Sequence, residues 1–278
     1  MMKKCVLVIS SYPEFIPDLR KALDTILHKE GWDFIVVTNC GFTHDSDRVV
    51  VNDKAFKYWN EAFYQFMNDS DYDVISFLDD DDTFEPNKLE RMDQLMTVHS
   101  YVHNFARYSN PTYNYNRIDN NTSCITVKTD HIDIEMFKKT RYLNDMLLYL
   151  NFVGKKGVIN WPEYLTKIRL KPFTNYAEFK QYLGGRYTGR QEDLEMIKRD
   201  FSLNRDQERV VDQQIQKYKF MFRNYTISDM IHSAFSFDKH VYKALLDRKK
   251  GLEGTIIFFP FEKRFCRYFV LNVTYRLL

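Results

Sequence analysis

The chain predicts an α/β domain with a mostly parallel central sheet flanked by helices, followed by a helical C-terminal extension. Three observations carry that prediction. Short, apolar, β-branched runs alternate with amphipathic segments from the N-terminus to the acidic run Asp79-Asp80-Asp81-Asp82. That run closes an apolar stretch, Asp73 to Leu78, where a strand should end. Beyond Pro172 the spacing of apolar residues becomes largely helical, which sets a soft boundary between an α/β domain, 1–172, and an extension, 173–278.

Val6 to Ile9, Phe34 to Val37 and Val74 to Leu78 each read as a buried strand. Between them, Leu19, Leu23, Ile26 and Leu27 share one helical face, and Phe56, Trp59, Phe63, Phe66 and Met67 share another. Strand-helix-strand-helix-strand order predicts parallel pairing with right-handed crossovers. In such sheets ligands bind beyond the carboxyl ends of the strands, so Ser10-Ser11-Tyr12, Thr38-Asn39 and Asp79 to Asp82 should meet in one crevice. Asn104 to Tyr108 and Ser123 to Lys128 read as further strands, separated by a polar, aromatic loop over Asn110 to Asn121. Asp133 to Lys139 and Asn144 to Leu150 read as short helices, and Gly157 to Leu170 as two strands broken at Trp161-Pro162-Glu163. The extension predicts helices over Tyr176 to Leu183, Asp206 to Tyr225 and Asp238 to Lys249.

With 278 residues, 44% of them hydrophobic, the chain has ample material for a core. Forty Lys plus Arg against 38 Asp plus Glu leave a formal charge of +2, so nucleic acid is not an expected partner. Cys5, Cys40, Cys124 and Cys266 lie far apart, which argues against a zinc site or a disulfide framework and fits a reducing compartment. The apolar run Cys5 to Ile9 is too short for a signal peptide, and no window is long enough to span a bilayer. The expected location is therefore cytoplasmic.

Four adjacent carboxylates after a buried strand ask for a cation. At an effective dielectric of ~20, two carboxylates ~5 Å apart repel by roughly 3 kcal/mol. A helix starting at Pro86 would offset only about 0.3 to 1 kcal/mol per acid through its dipole. Hard carboxylate oxygens suit Mg²⁺ or Mn²⁺, ions that keep positions open for water and phosphate oxygens, so a metal-bound diphosphate is expected.

These motifs resemble the family 2 glycosyltransferases of the GT-A fold, which transfer a sugar from a nucleotide diphosphate sugar. Phe77-Leu78-Asp79-Asp80-Asp81-Asp82, followed by Pro86-Asn87-Lys88-Leu89-Glu90, is similar to that family's metal-binding strand end and the helix after it. The first strand with Tyr12 at its end, the helix Asp18 to Lys29 and the strand Phe34 to Val37 match in order and spacing, and Asn60 falls where the family tends to carry an Asn. The resemblance covers roughly residues 4–170. It implies that Asp79 lies near the ribose or the metal-bound phosphate, that Asp81 and Asp82 are the direct metal ligands, and that Asp80 is the variable position. Leu143-Asn144-Asp145-Met146 resembles the family's acid pair at a helix start, which implies Asp145 as general base, with Asp130 and Asp133 as competitors.

The chain departs from the family at two points. Thr38-Asn39-Cys40-Gly41 stands where an acid usually reads the nucleotide base, which puts uracil specificity in doubt, although a UDP-sugar remains the expected donor. Arg169 and Lys171 stand where a His often completes the metal shell, and as cations they would bind the diphosphate. Gly184-Gly185-Arg186-Tyr187-Thr188-Gly189-Arg190 follows a helix and lacks a Gly-Lys-Ser/Thr ending, so it reads as a helix connection. The stretch Phe258 to Leu278 mixes aromatics with Lys263, Arg264, Arg267 and Arg276. Such a stretch packs on a core, or makes a peripheral contact with the inner face of a membrane that would suit a lipid-linked acceptor.

The expectation is a metal-dependent glycosyltransferase, inverting, acting on a glycan or lipid-linked acceptor hydroxyl. The rival readings are a haloacid-dehalogenase-like phosphatase using Asp79 and Asp81 in an Asp-x-Asp-x-Thr pattern, a sugar-1-phosphate nucleotidyltransferase, and a non-catalytic sugar-binding protein on the same fold. Two strand-helix units before the acidic run speak against the phosphatase, and Ser10 to Pro17 lacks the glycine-rich basic loop of the nucleotidyltransferases.

Overall fold

The computed structural model describes residues 2–108, 121–169, 189–216, 218, 257–259 and 269–271. The chain divides into two compact units, Met1–Asp212 and Gln213–Leu278.

In the first unit β1 (Lys4–Ser10), β2 (Asp33–Thr38), β3 (Val49–Asp53), β4 (Val74–Phe77), β5 (Thr83–Phe84), β6 (Tyr101–Tyr108), β7 (Ile125–Lys128) and β8 (Val158–Ile168) form one sheet. The strand order is β3-β2-β1-β4-β7-β6-β8-β5. The first four strands pair only in parallel, as expected. Beyond β4 the sheet is mixed: β7 runs antiparallel to β4 and β6, β6 and β8 are parallel, and β5 closes the edge antiparallel to β8.

Two strands escape the sequence reading. β3 is the run Val49-Val50-Val51, and β5 is only two residues long. The break expected at Trp161-Pro162-Glu163 is a register shift: β8 is continuous, but its pairing with β6 slips between Asn104 and Ala106. Pro162 has no backbone N–H to give the ladder, which accounts for an irregularity at this place.

Alternation along β1 sends Val6 and Val8 to one face, where Leu19 and Leu23 of α1 (Ile16–Asp24) and Leu89 and Met92 of α3 (Lys88–Leu95) join one core cluster. The other face carries α2 (Trp59–Asp69) and α4 (Ile134–Lys139). There Phe63 meets Phe77 at 5.5 Å and Phe137 at 4.7 Å, both edge-on. The short helix α5 (Asn144–Leu150) follows α4, and residues 189–200 and 205–216 are helical.

In the second unit β9 (Ile257–Phe259) and β10 (Phe269–Leu271) pair antiparallel, so the C-terminal stretch contributes strands where the extension was expected to be mainly helical. The helices expected at Tyr176 to Leu183 and Asp238 to Lys249 lie outside the described residues, as do the loop 110–120 and Lys171. No helix among the described residues is long and apolar enough to cross a membrane.

Candidate active site

Strand direction decides what converges. β1, β2, β3 and β4 are parallel, so their carboxyl ends share one edge of the sheet. β7 is antiparallel to β4, so the 3-10 turn Thr122–Cys124 that leads into β7 arrives at that edge. β6 runs antiparallel to β7 and β8 parallel to β6, so β8 also delivers its carboxyl end there. The acidic run, Ser123 and Arg169 therefore meet although they are far apart in sequence.

Ser123 is the pivot. Its hydroxyl accepts the Asp79 backbone N–H at 2.8 Å and donates to Asp82 Oδ2 at 2.7 Å. The other oxygen of Asp82 accepts the Arg169 backbone N–H at 2.9 Å. Asp82 is only 2% exposed, and its carboxyl is pushed up to about 7 by burial, with the hydrogen bond from Ser123 opposing. Asp79 is raised well above the ordinary carboxylate range, first by burial and then by Asp82, Asp80, Asp81 and Asp145. Ser10, at the end of β1, donates its hydroxyl to Asp80 Oδ2 at 2.6 Å.

Beneath Ser123 lies a lysine. Lys88, 0% exposed, donates its ammonium to the Ser123 carbonyl and to Thr166 Oγ1, the latter at 3.1 Å, and sits 3.8 Å over the Phe84 ring. Burial lowers it to about 7, against the attraction of Cys124, Asp82 and Asp79. Thr166 in turn donates to the Ser123 carbonyl at 3.0 Å and accepts from Asn104 at 3.0 Å. The fold thus places a buried lysine amine, which burial makes ready to lose its proton, below the acidic turn.

Asp145, in the first turn of α5, is buried, and one of its oxygens accepts the Met146 N–H at 2.8 Å. The side chain of Asn144 donates to Thr122 Oγ1 at 3.3 Å, tying the start of α5 to the Ser123 turn.

The remaining predicted residues do other things. Tyr12 is 56% exposed and meets Phe15 edge-on. Thr38 is buried, and its hydroxyl accepts the Cys40 N–H at 3.2 Å. Asn39 donates to the Phe56 carbonyl at 2.8 Å, and Asn60 donates to Thr140 Oγ1 at 2.9 Å, bracing α2 against the end of α4. The guanidinium of Arg169 pairs with Asp18. Ser123 and Lys88 are the functional positions that sequence reasoning misses as such. Lys88 carries a signal, because it lies on the α3 stripe of Met92 and Leu95; Ser123 carries none.

A sheet parallel through β4 and mixed beyond it, with an acidic turn at the end of β4, is the arrangement of the GT-A glycosyltransferases. Residues 6–155 match the profile of Glycosyl transferase family 2, and the chain belongs to that family. It is a glycosyltransferase, which sets aside the phosphatase reading. No curated relative matches the chain. Among solved structures it is similar to S. aureus TarS 1-349 in complex with UDP-GlcNAc, with 11% identity and a TM-score of 0.52 over 93% of this chain and 95% of that one. It is also similar to the mannosyltransferase PcManGT from Pyrobaculum calidifontis in complex with GDP-Man and Mn²⁺, with 10% identity and a TM-score of 0.54 over 89% of this chain and 79% of that one. At these identities the likeness speaks for the fold.

Proposed function

We propose that this glycosyltransferase is metal-dependent and inverting, and moves a sugar from a nucleotide diphosphate sugar, a UDP-sugar first, to an acceptor hydroxyl in glycan synthesis. The observation that carries the reading is the tie between the start of α5 and the acidic turn: Asn144, next to Asp145, donates to Thr122 Oγ1 at 3.3 Å, and the adjacent Ser123 holds Asp79 and Asp82.

The donor set fits a hard cation. Asp79, Asp81 and Asp82 offer only carboxylate oxygens, the ligands Mg²⁺ and Mn²⁺ prefer. Among the described residues no three acidic, histidine or cysteine side chains converge closely enough to hold an ion. Diphosphate oxygens and water would then complete the shell, the usual arrangement for Mg²⁺. Such an ion supplies charge stabilisation to the departing diphosphate.

In this reading Asp145 is the general base. Met146 N–H holds one of its oxygens, and the other takes the proton as the acceptor oxygen attacks the anomeric carbon. The bond from that carbon to the diphosphate oxygen breaks, and its electron pair leaves with the nucleotide. Tyr12, Asn39 and Asp80 face the nucleoside side, with Ser10, Thr38 and Asn60 fully buried as supports behind them, and Arg169 with Lys171 meets the diphosphate. Arg169 would have to exchange Asp18 for phosphate oxygen, two ligands of the same charge. A glycan or lipid-linked acceptor, a cytoplasmic location and a peripheral membrane contact through residues 258–278 belong to the same proposal.

Calorimetric titration of the full chain with UDP, GDP and dTDP and their sugar conjugates, each with Mn²⁺ and with EDTA, tests it. Metal-dependent binding of one nucleotide is expected. Equal binding in EDTA would end the metal assignment, and no binding to any of them by folded protein would end the donor assignment.

A further inference from the structure

The turn that presents Asp145 is held by residues beyond the family match. α5 has Leu143 at its N-cap position, which gives no side-chain cap. The two residues before it are instead tied to the helix over 189–200. Asp193 Oδ2 accepts both the Arg141 N–H, at 2.9 Å, and the Tyr142 N–H, at 2.8 Å. Its other oxygen lies 3.7 Å from Arg141 Nε. Arg190 Nε donates to the Tyr142 carbonyl at 3.1 Å, and Glu192 accepts from the Arg141 guanidinium at 3.0 Å.

The Tyr142 ring is clamped as well. On one side Tyr58 meets it edge-on at 5.5 Å. Gly189 also lies against it, where a Cβ would run into the ring, so the close approach needs glycine. Tyr58 precedes α2, and Asn60 in its first turn holds Thr140. The segment Thr140 to Tyr142 is therefore gripped from α2 and from the later helix, three residues short of Asp145.

Asp193 is 3% exposed, and its carboxyl is raised by burial even though both backbone donors oppose the shift. Burying a carboxylate is costly unless its partners are well placed. A contact made only to fasten one helix to another could have been apolar; this one fixes two consecutive peptide groups.

We propose that Asp193 is a positioning residue for the Asp145 base, and that the helix over 189–200, outside residues 6–155, thereby completes the active site of this transferase. The inference rests on the reading of Asp145 as base. It gives the chain beyond the family match a share in catalysis through the backbone of Arg141 and Tyr142, with no contact to the donor.

The test is a double-mutant cycle on the full chain with Mn²⁺, using UDP-GlcNAc and GDP-mannose as donor probes. Release of nucleotide diphosphate gives kcat and KM, and calorimetry gives donor affinity. Asp193→Ala should lower kcat by about 10- to 100-fold, the cost of misplacing a catalytic group by a fraction of an ångström to an ångström. Donor affinity should stay within about 3-fold, because the acidic turn is separately braced. In an Asp145→Asn background the same substitution should cost nothing further, since there is no base left to misplace. Asp193→Asn keeps an acceptor oxygen for the two N–H groups and should restore most of the turnover. Gly189→Ala, which pushes on the Tyr142 ring, should reproduce the kcat loss and replaces Asp193→Ala in the cycle if that variant does not fold. Wild-type kcat in both Asp193→Ala and Gly189→Ala, or a loss that multiplies with that of Asp145→Asn, overturns the positioning role alone. Wild-type turnover in Asp145→Asn overturns the base assignment, and this inference with it.

Discussion

On one wall of the crevice the acidic turn Asp79 to Asp82 is tied from below by its own sheet, through Ser123, Thr166 and the buried Lys88. On the other wall the turn before Asp145 is tied from outside, by the helix over 189–200, well beyond it in sequence. The first brace is a consequence of strand order: β7 runs antiparallel to β4, so its entry turn must lie beside the end of β4. The second has no such origin in the sheet. On the proposed assignment the donor site comes with the fold, while the placement of Asp145 depends on a helix outside residues 6–155.

The largest test of that contrast is Asp145→Asn. General-base removal should lower turnover by about 100- to 10,000-fold while calorimetric donor affinity holds. A parallel loss of donor affinity would mean that the two walls are one unit. The next largest is Asp81→Asn, which should weaken Mn²⁺-dependent donor binding by about 100-fold and leave the weak binding in EDTA as it was. Equal affinity in Mn²⁺ for wild type and variant would remove Asp81 from the metal shell.

The contrast also explains how much is legible in the sequence. β1, β2 and β4 are buried on both faces, so each announces itself as a continuous β-branched run, and the acidic run that ends β4 is local. β3 has the same signature in Val49-Val50-Val51 but lies at the sheet edge, where only Val49 is buried, whereas β5, with two residues, has no periodicity to detect. The antiparallel half is legible as strands but not as an arrangement, because β7 inserts between β4 and β6 against chain order. Ser123 is hidden for that reason: its importance comes from a neighbour more than forty residues away. Asp193 hides in an ordinary amphipathic helix. Lys88 is visible as a charge on an apolar stripe, a conflict between local pattern and burial of the kind that marks special sites.

Between the two walls in size of effect lies Ser123→Ala. It leaves the Asp79 N–H and one oxygen of Asp82 without their partner at a buried site, a cost of about 2 to 4 kcal/mol for the two groups together. The urea midpoint should fall accordingly, with donor affinity reduced and the residual kcat near wild type. A donor affinity that stays put would show that the acidic turn does not need its brace.

The smallest effect tests the buried lysine itself. Lys88 is lowered to about 7 in the fold, against about 10.4 in an unfolded chain. Between those values the unfolded chain binds a proton at this site that the folded chain does not, so stability rises with pH from about 7 toward 10 and falls as pH drops back. From pH 7 to 9 the gain attributable to Lys88 is about 2 kcal/mol. Urea melts of metal-free wild type and Lys88→Met at both values read it; losing Lys88 also raises Asp82 and Asp79, which lowers the variant's gain with pH and so acts in the same direction. Wild type should gain more than the variant over that interval. Identical slopes would mean that Lys88 keeps an ordinary affinity for its proton, and that the acids above it hold their ammonium partner as a full ion pair.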